Sequence, residues 1–160
     1  MRILFIVHSI FGWERTGIMI LASLLKEMGH EVGVVNLQSK SPEQYTQAVL
    51  EFAPDMLAYN AMTPEIDHYL DVNARLRQAL PAHVLSVFGG PHPTFQPEII
   101  DDPWVDALCR GEGEAALVQY FEYLKGERAP DTVENFWIKL PPVQAAAPGN
   151  EAGERVVVKN

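Results

Sequence analysis

The sequence predicts an α/β protein: a five-stranded parallel sheet with helices on both faces, followed by a β-hairpin. Three observations lead there. Short runs of branched apolar residues alternate with amphipathic stretches at helical spacing, strand–helix, five times over. The opening run Ile3-Leu4-Phe5-Ile6-Val7 is apolar without alternation, as a central parallel strand buried on both faces must be. After Thr132 the helical rhythm stops, and the runs Phe136 to Leu140 and Arg155 to Lys159 read as strands.

The elements follow in order. His8 to Thr16 is a loop, and Gly17 to Met28 a helix with Ile18, Leu21, Leu24, Leu25 and Met28 on one face. Gly29 stops it. Glu31 to Leu37 is the second strand, which completes a βαβ unit. Ser41 caps a helix that opens on Pro42 and runs to about Phe52. Met56 to Tyr59 is the third strand. In the loop after it, Asn60 to Pro64, Thr63 is expected to cap a helix with Ile66, Tyr69, Leu70 and Leu76 inward. Pro81 ends that helix, and Val84 to Phe88 is the fourth strand. Pro91 and Pro93 are expected to keep the next loop extended. Glu98 to Asp101 is a helical turn, Val105 to Cys109 the fifth strand, and Ala115 to Leu124 the last helix. The hairpin strands flank a Pro/Ala/Gly-rich stretch, Pro141 to Gly153. The chain stops directly after a strand, which reads as a piece of something longer.

Composition narrows the function classes. A chain of 160 residues with 48% hydrophobic content can bury one core. Twelve Lys+Arg against 21 Asp+Glu, net charge -9, argue against nucleic acid or an anionic membrane as partner. No run reaches membrane-spanning length, and the short N-terminal apolar run lacks a signal-peptide cleavage pattern. Cys109 is the one cysteine, which excludes an internal disulfide and fits the cytoplasm.

Ligands of open α/β sheets bind at the carboxyl edge of the strands. The loops on that edge carry Phe11 and Gly12, then Asn60, Ala61, Met62 and Thr63, then Gly89, Gly90, Pro91, His92 and Thr94, then Gly111, Glu112 and Gly113. Small residues with a few hydroxyls suit a large flat ligand approaching the backbone. No G-x-G-x-x-G follows the first strand, and there is no P-loop. Each polar candidate has a plain alternative: His92 and His8 as solvated loop residues, His30 against the last carbonyls of its helix, Glu112 and Glu114 as helix-start carboxylates. Arg110 reads as a partner for one of those glutamates. Asp55 and Asp106 read as partners of nearby backbone, and Cys109 as a small core residue. No catalytic set and no metal-ligand spacing is evident.

Gly17 to Val32, Asn60-Ala61-Met62-Thr63, Gly89-Gly90-Pro91-His92-Pro93-Thr94-Phe95 with Pro97-Glu98, and Val105-Asp106 leading to Arg110-Gly111-Glu112-Gly113-Glu114 together carry a resemblance over residues 1 to 128. It is to the N-terminal cobalamin-binding domain of the cobalamin-dependent radical S-adenosylmethionine enzymes. The tail resembles the hairpin that leads from that domain to the radical barrel.

The resemblance implies a Rossmann-like, flavodoxin-like sheet over residues 1–131 holding cobalamin, and a hairpin linker over 132–160. The corrin would sit over the Asn60 to Thr63 and Gly89 to Thr94 loops, with the nucleotide tail beside the first strand. S-adenosylmethionine, the [4Fe-4S] cluster and methyl-transfer or related radical chemistry would belong to a barrel outside this sequence. One cysteine cannot supply the Cys-x-x-x-Cys-x-x-Cys cluster motif, so the chain reads as a non-catalytic binding domain. No aspartate is followed two places on by histidine, so the Asp-x-His-x-x-Gly ligand motif is absent and base-off cobalt is expected. Two other readings stand beside this one: a nucleotide-sugar-binding glycosyltransferase-like half-domain, and an interaction module of the same fold without cofactor.

Overall fold

A computed structural model describes residues 1–8, 16–140 and 156–160. The elements are β1 (Arg2–Val7), α1 (Thr16–Glu27), β2 (Glu31–Asn36), α2 (Pro42–Phe52), β3 (Met56–Asn60), α3 (Ile66–Ala79), β4 (Leu85–Gly89), α4 (Pro91–Phe95), β5 (Ala107–Cys109), α5 (Glu114–Leu124), β6 (Phe136–Lys139) and β7 (Val157–Lys159). Among the described residues no helix is long and apolar enough to cross a membrane.

The strands form one seven-stranded sheet in the order β2-β1-β3-β4-β5-β6-β7. The first five are mutually parallel, while β6 runs antiparallel to β5 and β7 antiparallel to β6. The two C-terminal strands therefore extend the sheet instead of standing beside it as a loose hairpin. Trp137, between Leu108 and Lys159 in the register, joins them. The order turns back at β1 and β3, so the carboxyl ends of those strands flank the switch point.

Alternation along each strand sorts the core into two layers. Leu4, Ile6, Leu57, Tyr59 and Phe88 meet Tyr45 and Val49 of α2 and Tyr69, Val72 and Leu76 of α3. Ile3, Phe5, Met56, Val87 and Phe136 meet Ile18 and Leu25 of α1 and Leu117, Tyr120 and Phe121 of α5. Ile3 to Val7 are all buried, because β1 is covered from both sides. Each large side chain so buried contributes on the order of 2 kcal/mol.

The local signals act largely as expected. Ser41 accepts from the Gln44 backbone N–H, the Gln44 side chain accepts from the Ser41 N–H, and Pro42 opens α2. Gly29 takes φ 84° just past α1. Asp55 accepts from the Arg2 N–H at 2.6 Å. Two expectations fail. Thr63 does not cap α3: it opens a 3₁₀ turn, Thr63–Glu65, with no side-chain cap. Pro91 and Pro93 do not hold an extended loop: Pro91–Phe95 is one turn of α-helix. A fixed φ near −65° suits a first helical turn, where the absent N–H has no partner to lose.

A buried polar network bolts α3 to the sheet. Tyr59 Oη and Ser86 Oγ both donate to Asn73 Oδ1, at 3.1 and 2.7 Å, and Asn73 Nδ2 donates to the Trp104 carbonyl at 2.8 Å. Arg77 pairs with Asp106, which also accepts from the Ser86 N–H at 2.8 Å. Asp106 thus answers backbone, as its sequence position suggests, and a guanidinium as well. Breaking this pair from one side leaves a nearly buried charge alone. Asp106→Ala should cost about 3 kcal/mol in urea denaturation. A double variant with Arg77→Met should cost clearly less than the two single losses added together.

Candidate functional site

Hydrogen bonds between loops shape the carboxyl edge. The Ala61 N–H donates to the Gly89 carbonyl at 2.8 Å, and the His92 N–H to the Ala61 carbonyl at 3.0 Å. His92 Nδ1 lies 3.2 Å from Thr63 Oγ1, with its ring buried. His92 is therefore a tie between the β3 and β4 loops, not a solvated loop residue. Thr94 Oγ1 donates to the Gly90 carbonyl at 2.8 Å and accepts from the Gly111 N–H at 3.0 Å. Arg110 donates to the Thr94 carbonyl at 3.1 Å, and its guanidinium lies 4.6 Å from the Trp137 ring centroid. Lys159 stacks on the same ring at 4.4 Å. Arg110 thus joins the β4 and β5 loops instead of pairing with Glu112 or Glu114. The Arg110 N–H donates to the Asn135 carbonyl at 2.7 Å, and Asn135 Nδ2 to the Glu112 carbonyl at 3.2 Å.

Gly90 sets the geometry of this edge. Its φ is 99°, and a Cβ there would lie 2.1 Å from Asn60 Oδ1 and 3.1 Å from the Ala61 backbone. The glycine is demanded by Asn60 packed against it, so its close approach is to the protein's own loop. Gly111, φ 98°, has nothing within 4 Å of a Cβ position.

Beneath this edge a cavity of about 190 Å³ runs between α1 and α5 over the sheet. Its mouth is formed by Asn60, Gly89, Gly90, Gly111, Glu112, Gly113 and Glu114. Its walls are Ile3, Phe5, Ile18, Leu21, Leu25, Met56, Ala58, Val87, Leu117 and Phe136. Its lining residues run along β3 from Asn60 to Met56, about 13 Å of strand. Gly17 lines it as well, and a Cβ at Gly17 would meet nothing within 4 Å.

Of the residues singled out in the sequence, Asn60, Gly89, Gly90, Gly111, Glu112 and Gly113 line this cavity. Ala61, Thr63, His92 and Thr94 stand behind them as loop ties, with Met62 and Pro91 in the same two loops. Phe11 and Gly12 lie outside the described residues. The apolar walls escaped residue-by-residue reading, because a groove wall and a core contact look alike in one dimension. Ala58 was the available signal, a small residue in the otherwise bulky β3.

Of the other titratable candidates, Cys109 lines the cavity, whereas His8, His30 and His68 are not among its lining residues. His30 donates its backbone N–H to the Leu25 carbonyl of α1 at 3.0 Å, while its ring packs 4.4 Å from that of Phe121 and Nδ1 lies 3.2 Å from the N-terminal amine. Burial, with the amine and Lys125 adding to it, holds its pKa down. His8 and His68 meet edge to face at 5.1 Å. Burial, then the charges of Glu114 and Glu112, push the Cys109 thiol up to about 12. Among the described residues no group of three or more His, Cys, Asp or Glu could hold a metal ion. No histidine is among the described residues that line the cavity.

The model for the B12 binding domain matches residues 5–121. The chain is 31% identical over 131 residues to an anaerobic magnesium-protoporphyrin IX monomethyl ester cyclase of Rubrivivax gelatinosus, covering 74% of this chain and 23% of the relative. It is 29% identical over 116 residues to an uncharacterized methyltransferase of Pyrococcus horikoshii, covering 70% of this chain and 25% of the relative. Among solved structures it superposes on the cobalamin-dependent S-adenosylmethionine radical enzyme OxsB with aqua-cobalamin and S-adenosylmethionine bound. There the TM-score is 0.71 at 19% identity, over 97% of this chain and 21% of that one. It also superposes on the radical S-adenosylmethionine methyltransferase TsrM from Kitasatospora setae with cobalamin and [4Fe-4S] cluster bound, TM-score 0.68 at 15% identity, over 87% of this chain and 29% of that one. These structural likenesses extend the Rossmann-like fold assignment. The chain spans about a quarter of the length of the curated relatives it matches.

Two outcomes are expected from the geometry. Gly90→Ala should lower stability by about 2 kcal/mol or more, and Gly111→Ala by about 1, compared by their denaturation midpoints. Cys109 should resist iodoacetamide at pH 8 in the native chain and react once the chain is unfolded in urea.

Proposed function

The chain belongs to the B12-binding domain family, and we propose that it holds a base-off cobalamin and presents it to a radical S-adenosylmethionine barrel. The observation that carries this reading is the groove between α1 and α5, which runs beside β1 and β3 and opens at the carboxyl ends of β3, β4 and β5. It suits the nucleotide tail of the cofactor. Asn60, Gly89, Gly90, Gly111, Glu112 and Gly113 at the mouth are the residues that would meet the tail as it enters. The corrin would lie over the β3 and β4 loops.

The fit is supported by space that the protein does not fill. Gly17 and Gly111, both solvent-exposed, line the cavity, and a Cβ on either would meet no neighbour within 4 Å. His92 and Thr94 hold the loops beneath the ring in place without entering the groove. The base-off assignment rests on the absence of the Asp-x-His-x-x-Gly motif and of any histidine among the described lining residues. When bound, cobalamin supplies a cobalt centre able to carry a methyl group or change oxidation state. The chain's own residues orient it and shield its tail. With a single cysteine, the chain leaves the three-cysteine cluster, S-adenosylmethionine and the substrate to the barrel. Methyl transfer in the cytoplasm is the reaction and setting proposed for the whole protein.

Chain mixed with hydroxocobalamin and desalted should retain corrin absorbance, and after reduction its cob(II)alamin EPR spectrum should lack the splitting from an axial nitrogen. Loss of all absorbance would leave the cofactor-free interaction module as the reading. Gly17→Leu separates fold from site. It should leave stability unchanged or raise it by up to about 1 kcal/mol, because a helical glycine is replaced. Cobalamin retention should fall at least about tenfold, because the new side chain occupies the groove.

A further inference from the structure

We propose that the groove selects among corrinoids by their lower base, accepting benzimidazole and phenolic bases and rejecting adenine. The inference rests on the cobalamin reading above and goes beyond it to the class of cofactor. Its basis is how polar atoms are distributed along the groove. The polar residues that line it stand at the mouth: Asn60 at the end of β3, and Glu112 and Glu114 at the start of α5, beside the glycine loops. Cys109 is at the mouth too, its Cβ within 3.6 Å of a Cβ built on Gly89.

Below that level the walls are Ile3, Phe5, Leu25, Met56, Val87 and Leu117. The strand backbone there is consumed by pairing, Phe5 with Ala58 and Ala58 with Val87. Tyr59 lines the groove, but its hydroxyl donates to Asn73 on the opposite face of the sheet. Among the described residues, the deep end therefore offers no hydrogen-bonding side chain.

Its size suits a bicyclic aromatic ring: an apolar cavity of about 150 Å³ accepts benzene, and this one is about 190 Å³. Dimethylbenzimidazole presents methyl groups and a largely apolar edge to such walls. Adenine presents an amino group and several ring nitrogens, each of which would give up water for nothing. An apolar pocket discriminates against an added polar group by about 10- to 100-fold.

The test compares four probes on the wild-type full chain by equilibrium titration: hydroxocobalamin, the cresol-based cobamide, the adenine-based cobamide, and cobinamide, which has no lower base. The cresol form should bind at least as tightly as hydroxocobalamin, because its base has no bond to cobalt to give up. The adenine form should bind at least about tenfold more weakly than hydroxocobalamin, and cobinamide more weakly than the cresol form. Adenine and benzimidazole forms binding alike would overturn the selectivity while leaving the proposed function standing. Cobinamide binding as tightly as the cresol form would remove the base from the groove and overturn it too. No binding by any probe would overturn the proposed function and, with it, this inference.

Discussion

The carboxyl edge depends on one tight contact, the backbone of Gly90 pressed against Asn60 and Ala61. Only a residue without Cβ, at positive φ, lets β4 end there and turn at once into a helical turn. That turn sends His92 under the β3 loop and brings Thr94 to the β5 loop, so three strand ends are tied together by backbone and hydroxyl groups. The two prolines stiffen the turn. Loops usually carry mobility to a site; these are held by bonds that cross from strand end to strand end.

That arrangement explains why residues that looked alike in the sequence divide in space. Gly89, Gly90 and Gly111 face the cavity, whereas His92 and Thr94, the polar residues most suggestive of ligand contacts, are turned toward the protein. A histidine between two prolines says nothing in one dimension about which side of its turn it occupies. Its burial depends on Thr63, twenty-nine positions earlier. In the same way Arg110 reads as a partner for nearby glutamates until β6 brings Trp137 alongside β5.

The order of the strands and helices was legible because each is announced locally, by unbroken apolar runs, the Ser41-Pro42 start and Gly29. The seven-stranded extent of the sheet was not. The edge pairing of β6 on β5 joins residues separated by α5, and a strand pattern does not name its neighbour. The walls of the groove were hidden for a related reason. Ile3, Met56 and Val87 have core character whether α1 lies flat on them or stands away.

The two faces of the sheet differ in mechanical character. On the α2 and α3 side, Asn73 and Arg77 fasten a helix to the strands with directional bonds that a small slide would break. On the other side α1 rests on the sheet through Ile18 and Leu25, apolar contacts that are non-directional. The molecule thus has a stiff back and a compliant front. Strain from filling the groove would be taken up by shear of α1 across β1, while the strand ends beneath the mouth keep their register.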